Sequence, residues 1–199
     1  MKALHRPDFY CWSVFDAHRN IDCNTFLWVR HEGNILFDPL HISEHDFEHM
    51  DRLGGVSHIV LSSSDQVRDT ETLRYKTGAS VLAPTQERTN FPIPVDHWLS
   101  DNDAPFQGLK AIELSGSKTP GELAFLIDET TLVCGPMLRA PTAGSLSMLS
   151  PDDVQDAAQA RASLCGLGAY QHIQAVLVTN GWPIFRHGAD RLAELTRDL

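Results

Sequence analysis

Histidine is the first residue type to search, because ten imidazoles in 199 residues are ample for metal binding, proton transfer or nucleophile activation. His41, His45 and His49 stand four apart, and two imidazoles at that spacing on one helix can share a metal ion. Ser43, however, reads as the N-cap of that helix and leaves His41 outside it. Glu44, Asp46 and Glu48 give the segment the composition of a solvated face. His187 opens the last helix, where a capping or surface role is expected. Cys11, Cys23, Cys134 and Cys165 lie far apart without a C-x-x-C pair, so they read as separate small hydrophobes rather than a disulfide framework or zinc ribbon. Cys134 has the chemistry of a nucleophile, but no histidine adjoins it in sequence and a core-strand role is expected. Four tryptophans are scattered through loops and strand ends. Trp182, beside Asn180 and Gly181, is a candidate pocket wall, with core or rim packing as the alternative.

The composition restricts what such residues can act on. Sixteen basic against 26 acidic residues give a formal charge of −10, which repels phosphate backbones and anionic lipid. Nucleic acid and membrane are therefore not expected as partners, and a homo-oligomer stays open; the small anionic ligand that is considered as a partner rests instead on Arg68 and Lys118. No apolar run approaches the roughly 18 residues of a membrane helix, and MKALHRPDFY has no apolar signal-peptide core. A cytoplasmic protein with one domain over 1–199 is expected.

The elements that must position the chemistry follow from periodicity and turn signals. Strand-like runs occupy the first forty residues, including Cys23 to Val29 and Ile35 to Phe37, with His31-Glu32-Gly33-Asn34 as turn chemistry between them. A helix from Ser43 to about Leu53 ends at Gly54-Gly55. Then come a strand over 56–61, a helix from about Asp65 to Lys76 stopped at Gly78, and a strand over 79–83, which together make a βαβ unit. The proline-rich stretch from Pro84 to Phe106 reads as loop with a short strand near Val95 to Leu99. Strands follow over 109–114, 122–127 and 130–134. Ser150-Pro151-Asp152-Asp153 reads as a helix start, with Val154, Ala158, Ala162 and Cys165 on one face. A strand over 174–179 and a helix over 185–198, with Ala189, Leu192 and Leu199 facing inward, complete the chain. This order predicts an α/β fold: a four-layer αββα sandwich of two mixed sheets with helices outside.

Five phrases in register resemble the metallo-β-lactamase superfamily. They are Asn24-Thr25-Phe26-Leu27 followed by Ile35-Leu36-Phe37-Asp38-Pro39, then His58 to Ser62, Gly116-Ser117-Lys118-Thr119-Pro120-Gly121-Glu122, Leu132-Val133-Cys134-Gly135, and Val178-Thr179-Asn180-Gly181. The resemblance covers nearly the whole chain and implies the sandwich fold, two zinc or iron ions and hydrolase chemistry. The family's H-x-H-x-D-H signature falls here on Ser63, Asp65, Val67 and Arg68. Its later histidine falls on Lys118, its bridging aspartate on Pro136 and its final histidine on Asn180. Zinc takes imidazole, thiolate or carboxylate, and of these positions only Asp65 supplies one.

From that comparison no metal cofactor is expected. The expected pocket at the family's metal positions comprises Asp38, Ser63, Asp65, Arg68, Lys118, Pro136, Asn180 and Trp182, with Asp65 and Arg68 neighbours at the start of one helix. A carboxylate of Asp38 or Asp65 is expected within ion-pair distance of Arg68 or Lys118, because a buried cation without a partner is costly. The expected function is a hydrolase-like pseudoenzyme, with the site either plugged by ion pairs or binding a small anion. The alternative is a metal-dependent or rebuilt hydrolase of a small ester, thioester, lactone or phosphoester.

Overall fold

The computed structural model describes residues 1–199. Its first half runs β1 (Lys2–Ala3), β2 (Phe9–Asp16), β3 (Ile21–Trp28), β4 (Ile35–Phe37), α1 (Glu44–Arg52), β5 (His58–Val60), α2 (Thr70–Thr77), β6 (Ser80–Pro84) and β7 (His97–Leu99). These seven strands form one sheet in sequence order, antiparallel from β1 to β4 and parallel from β4 to β7. The second half runs β8 (Leu109–Glu113), β9 (Leu123–Ile127), β10 (Thr131–Cys134), β11 (Leu138–Thr142), β12 (Ser145–Met148), α3 (Ala157–Leu167), β13 (Ala175–Val178) and α4 (Gly188–Asp198). A four-stranded sheet has the order β13-β10-β9-β8, and β11 and β12 pair as a separate hairpin.

Burial explains the layering. Alternate residues of β2 to β4, such as Phe9, Phe26 and Phe37, meet Leu123, Phe125, Val133 and Leu177 of the second sheet between the two sheets. Leu27, Leu36, Ile59 and Val81 point the other way, under Met50 of α1 and Leu73 of α2. On the far side, Leu126, Leu132 and Val176 lie under Leu164 and Leu167 of α3 and Leu192 and Leu195 of α4. The result is the αββα sandwich. Strands β9, β10 and β13 are covered on both faces, so they read as continuous apolar runs rather than as alternation. No helix is long and apolar enough to cross a membrane.

Local signals set most boundaries, and two expected helix starts are corrected. Ser43 caps α1 by accepting from the Asp46 N–H at 3.1 Å, and Gly78 ends α2 with φ +71°. The helix expected from Asp65 is instead a 3-10 turn over Ser64–Gln66, then Arg68 at φ +44°, with α2 beginning only at Thr70. Asp65 and Arg68 therefore do not share a helix face. The guanidinium of Arg68 donates to the main-chain carbonyls of Asn24 and Asp38, and those contacts accompany the left-handed break. The start expected at Ser150 is likewise a 3-10 turn, and α3 begins after Asp156, whose carboxylate accepts from the N–H groups of Ala158 and Gln159. The buried face is Ala160, Leu164 and Leu167, because the two leucines have more apolar surface to bury than Ala158, Ala162 or Cys165.

Asn24 ties the two sheets together behind the site. Its side-chain amide donates to the carbonyls of Val178 at 2.9 Å and Gly181 at 2.7 Å, and its oxygen accepts from Ser13 Oγ at 2.7 Å. Asn24→Ala strands two carbonyls next to β13, so urea denaturation should show a loss of about 2 kcal/mol. A change within a few tenths would mean that water replaces the amide.

Candidate functional site

The loops at one end of the two sheets meet in a cleft of about 380 Å³. Asp65, Lys118, Pro136 and Asn180 line it, together with Arg19, Ile21, Arg139, Leu149 and Asp153. Each arrives from a different connection. Asp65 sits in the 3-10 turn after β5, Lys118 in the loop from β8 to β9, Pro136 just after β10 and Asn180 just after β13. The cleft holds an ion pair, Lys118 Nζ to Asp65 Oδ1 at 2.6 Å, with side chains 42% and 23% exposed. That partial exposure makes it worth about 1 kcal/mol or less.

Asp38, Ser63 and Arg68 lie behind the cleft rather than on its wall. The buried Asp38 carboxylate accepts from the Ser62 N–H and the Ser62 hydroxyl, each at 2.7 Å, which clamps the end of β4 to the loop after β5. Burial pushes the Asp38 carboxyl up to about 6, against the opposing pull of Arg68 and the two Ser62 bonds. Arg68 meets Asp38 through that residue's main-chain carbonyl, at 3.0 Å, rather than through a carboxylate ion pair. Ser63 is fully buried and its hydroxyl has no partner.

Trp182 is a correction. It is 56% exposed and does not line the cleft. Gly181 at φ +98° brings the chain so close to β11 that a Cβ there would stand 2.0 Å from the Ala140 carbonyl oxygen. The Trp182 N–H then bonds that same carbonyl at 2.8 Å, and the indole is left largely in solvent.

Two further carboxyls are buried around the same loop. Glu87 accepts from the Ser64 N–H at 2.8 Å. Glu122 accepts from the Met137 N–H at 3.0 Å and is bonded to the Ser117 hydroxyl. Burial pushes Glu122 up to about 8, helped by Asp38 and Glu87 nearby and opposed by the Ser117 and Met137 bonds. Glycine is required at 135, because a Cβ would stand 2.5 Å from Ser62 Oγ and 2.8 Å from Glu122 Oε1. The thiol of Cys134 is fully buried, and burial together with Glu122 pushes it well up, which is the opposite of an activated nucleophile.

The donor set does not fit a two-metal centre. No three His, Cys, Asp or Glu side chains converge. Asp65 is held by Lys118, and Pro136 offers no ligand atom. No metal-dependent step can therefore be assigned to named residues. What the cleft offers is cations: Arg19, Lys118 and Arg139 against Asp65 and Asp153. Sequence reasoning did not find Arg19 or Arg139. Arg19 lies in the turn between β2 and β3. Arg139 lies in β11, whose Pro141 and nearby Gly144 hide the strand, although buried Leu138 and Ala140 flanking Arg139 are a period-2 signal.

The whole chain, residues 1–199, matches the family model described as the metallo-beta-lactamase superfamily. No curated protein matches it. Among solved structures, a metallo-beta-lactamase from Pontibacter korlensis is 13% identical, with a TM-score of 0.76 over 98% of this chain and 97% of that one. TTHA1623 in a di-iron-bound form is 19% identical, with a TM-score of 0.72 over 94% and 100%. FIM-1 from Pseudomonas aeruginosa in a mono-zinc form is 14% identical, with a TM-score of 0.72 over 96% and 90%. The expectation of no metal cofactor is corrected by these neighbours, which carry iron and zinc on this fold.

Proposed function

The chain belongs to the metallo-β-lactamase superfamily, and from that premise we propose that this hydrolase-like protein uses the cleft to capture a small anion. One observation carries the reading. Where the family places ligands for dications, this chain has Lys118 in the cleft and Arg68 behind it, with Arg19 and Arg139 on the remaining wall. The lining carries three cations against two carboxylates, and with Arg19 paired to Asp16 at 3.5 Å and Lys118 to Asp65, Arg139 is the cation without an ion-pair partner, in a protein whose formal net charge is −10. The cleft is open at about 380 Å³ rather than filled by the Lys118–Asp65 pair, which favours a bound anion over a salt-bridged plug. In this reading the protein acts as a binder, a pseudoenzyme in family terms.

Thermal unfolding tests it. Millimolar phosphate, at constant ionic strength and with chloride as the reference anion, should raise Tm by a few degrees, since a ligand that binds only the folded state stabilises it by mass action. Lys118→Met should remove at least half of that rise. An equal response to every anion, unchanged by Lys118→Met, contradicts the reading.

A second reading, a metal-dependent or rebuilt hydrolase of a small ester, thioester, lactone or phosphoester, is favoured by the di-iron and mono-zinc neighbours. Turnover of nitrophenyl esters that appears on adding iron or zinc would support it.

A further inference from the structure

Resting on that reading of the cleft, the geometry points to a phosphate monoester as the anion and to Arg139 as the residue that selects it. Arg139 is a cation without an anion. Its Nε is buried and has no hydrogen-bond partner, and no carboxylate lies within ion-pair distance of its guanidinium. Arg139 lines the cleft, so a ligand oxygen there meets a guanidinium that has no protein acceptor to give up.

The backbone holds Arg139 in register with the other donors. The Ala140 N–H bonds the Asn180 carbonyl at 3.0 Å, which joins β11 to the loop after β13. Asn180 takes the Cys23 thiol on its Oδ1 at 3.6 Å, which leaves its amide N–H groups for a ligand. Lys118 commits one N–H to Asp65 and keeps two. The donors thus come from three separate segments: a guanidinium from β11, an ammonium from the loop before β9 and an amide from the loop after β13. A planar carboxylate satisfies the guanidinium edge with its two oxygens and has none left outside its plane. A tetrahedral phosphoryl group presents three terminal oxygens, one for each donor.

Charge and shape limit the rest of the ligand. Ile21 and Leu149 give the cleft an apolar wall for the organic part of an ester. Asp153, in the lining without a cation partner, and the net charge of −10 both oppose a second phosphate. That selects a monoester over a nucleoside diphosphate or a nucleic acid.

Isothermal titration calorimetry on the full chain at pH 7, with phenyl phosphate and benzoate as probes, tests the inference. Phenyl phosphate should bind at least tenfold more tightly than benzoate. Arg139→Gln should weaken phenyl phosphate at least tenfold while leaving benzoate changed by less. Arg139→Lys keeps the charge but loses the planar fork, so it should restore only part of the affinity and serves if the glutamine variant folds poorly. Equal affinity for the two probes overturns the phosphoryl assignment while leaving anion capture standing. Unchanged phenyl phosphate affinity in both variants overturns the role of Arg139. No heat with either probe overturns the inference together with the anion reading beneath it.

Discussion

Transferring the protein from pH 5 to pH 9 is expected to lower its unfolding free energy by several kcal/mol, with Glu122 responsible for the larger share. The carboxyl is fully buried and burial raises it to about 8, from about 4.5 in an open chain. A raised carboxyl keeps its proton in the folded state and loses it in the unfolded one. Its stabilising contribution is therefore complete below about pH 4.5 and is lost as pH rises through 8. At 1.36 kcal/mol per pH unit the whole contribution is on the order of 5 kcal/mol, most of it lost between pH 5 and 9. Asp38, raised to about 6, adds a smaller loss in the lower part of the same window. The isolating measurement is the variant Glu122→Gln. A glutamine oxygen can accept from the Met137 N–H, and its amide can donate to the Ser117 hydroxyl. Urea denaturation should place the variant within about 1 kcal/mol of the parent at pH 5 and on the order of 3 kcal/mol above it at pH 9. Parallel pH profiles for the two proteins would mean that Glu122 is already ionised in the fold.

Arg68→Met is expected to cost on the order of 3 kcal/mol. The guanidinium donates to the carbonyls of Asn24 at 2.9 Å and Asp38 at 3.0 Å, and its charge opposes the upward push of burial on the Asp38 carboxyl. Methionine fills a similar volume but removes the Arg68 donor from both carbonyls, leaving the Asp38 carbonyl only its bond from the Thr25 hydroxyl, and leaves the Asp38 carboxyl without a facing cation. Arg52→Met is the control. Arg52 is 63% exposed and its contact to Glu48 is 3.9 Å, so the change should stay within about 0.5 kcal/mol. Equal costs for the two substitutions would show that Arg68 is solvated rather than structural.

Much of the architecture is legible in the sequence because apolar runs and turn residues agree. Ser43, Gly54-Gly55 and Gly78 bound their elements, and the doubly covered strands β9, β10 and β13 stand out as short continuous apolar segments. The failures have local causes. Arg68 leaves helical dihedrals where its side chain bonds two distant carbonyls, and no propensity encodes that tertiary contact. Ser150-Pro151 carries a good helix start, yet Asp156 caps the helix that forms, because Leu164 and Leu167 set which face is buried. In the site, Asp65 and Lys118 were reachable through motif register. Arg19 and Arg139 were not, since one lies in a hairpin turn and the other in a strand interrupted by proline. The expectation of no metal cofactor comes from ligand positions alone, and solved structures of the same fold are in di-iron and mono-zinc forms.

Anion capture by the cleft is tested most directly by the Arg139 Nε–H resonance during a titration with inorganic phosphate at constant ionic strength. In the free protein that N–H has no protein acceptor. A saturable downfield shift is expected, with the Asn180 side-chain amide moving along the same curve and the exposed Arg52 resonance unmoved. Linear shifts without saturation, shared by Arg52 and Arg139 alike, would contradict a specific site in the cleft.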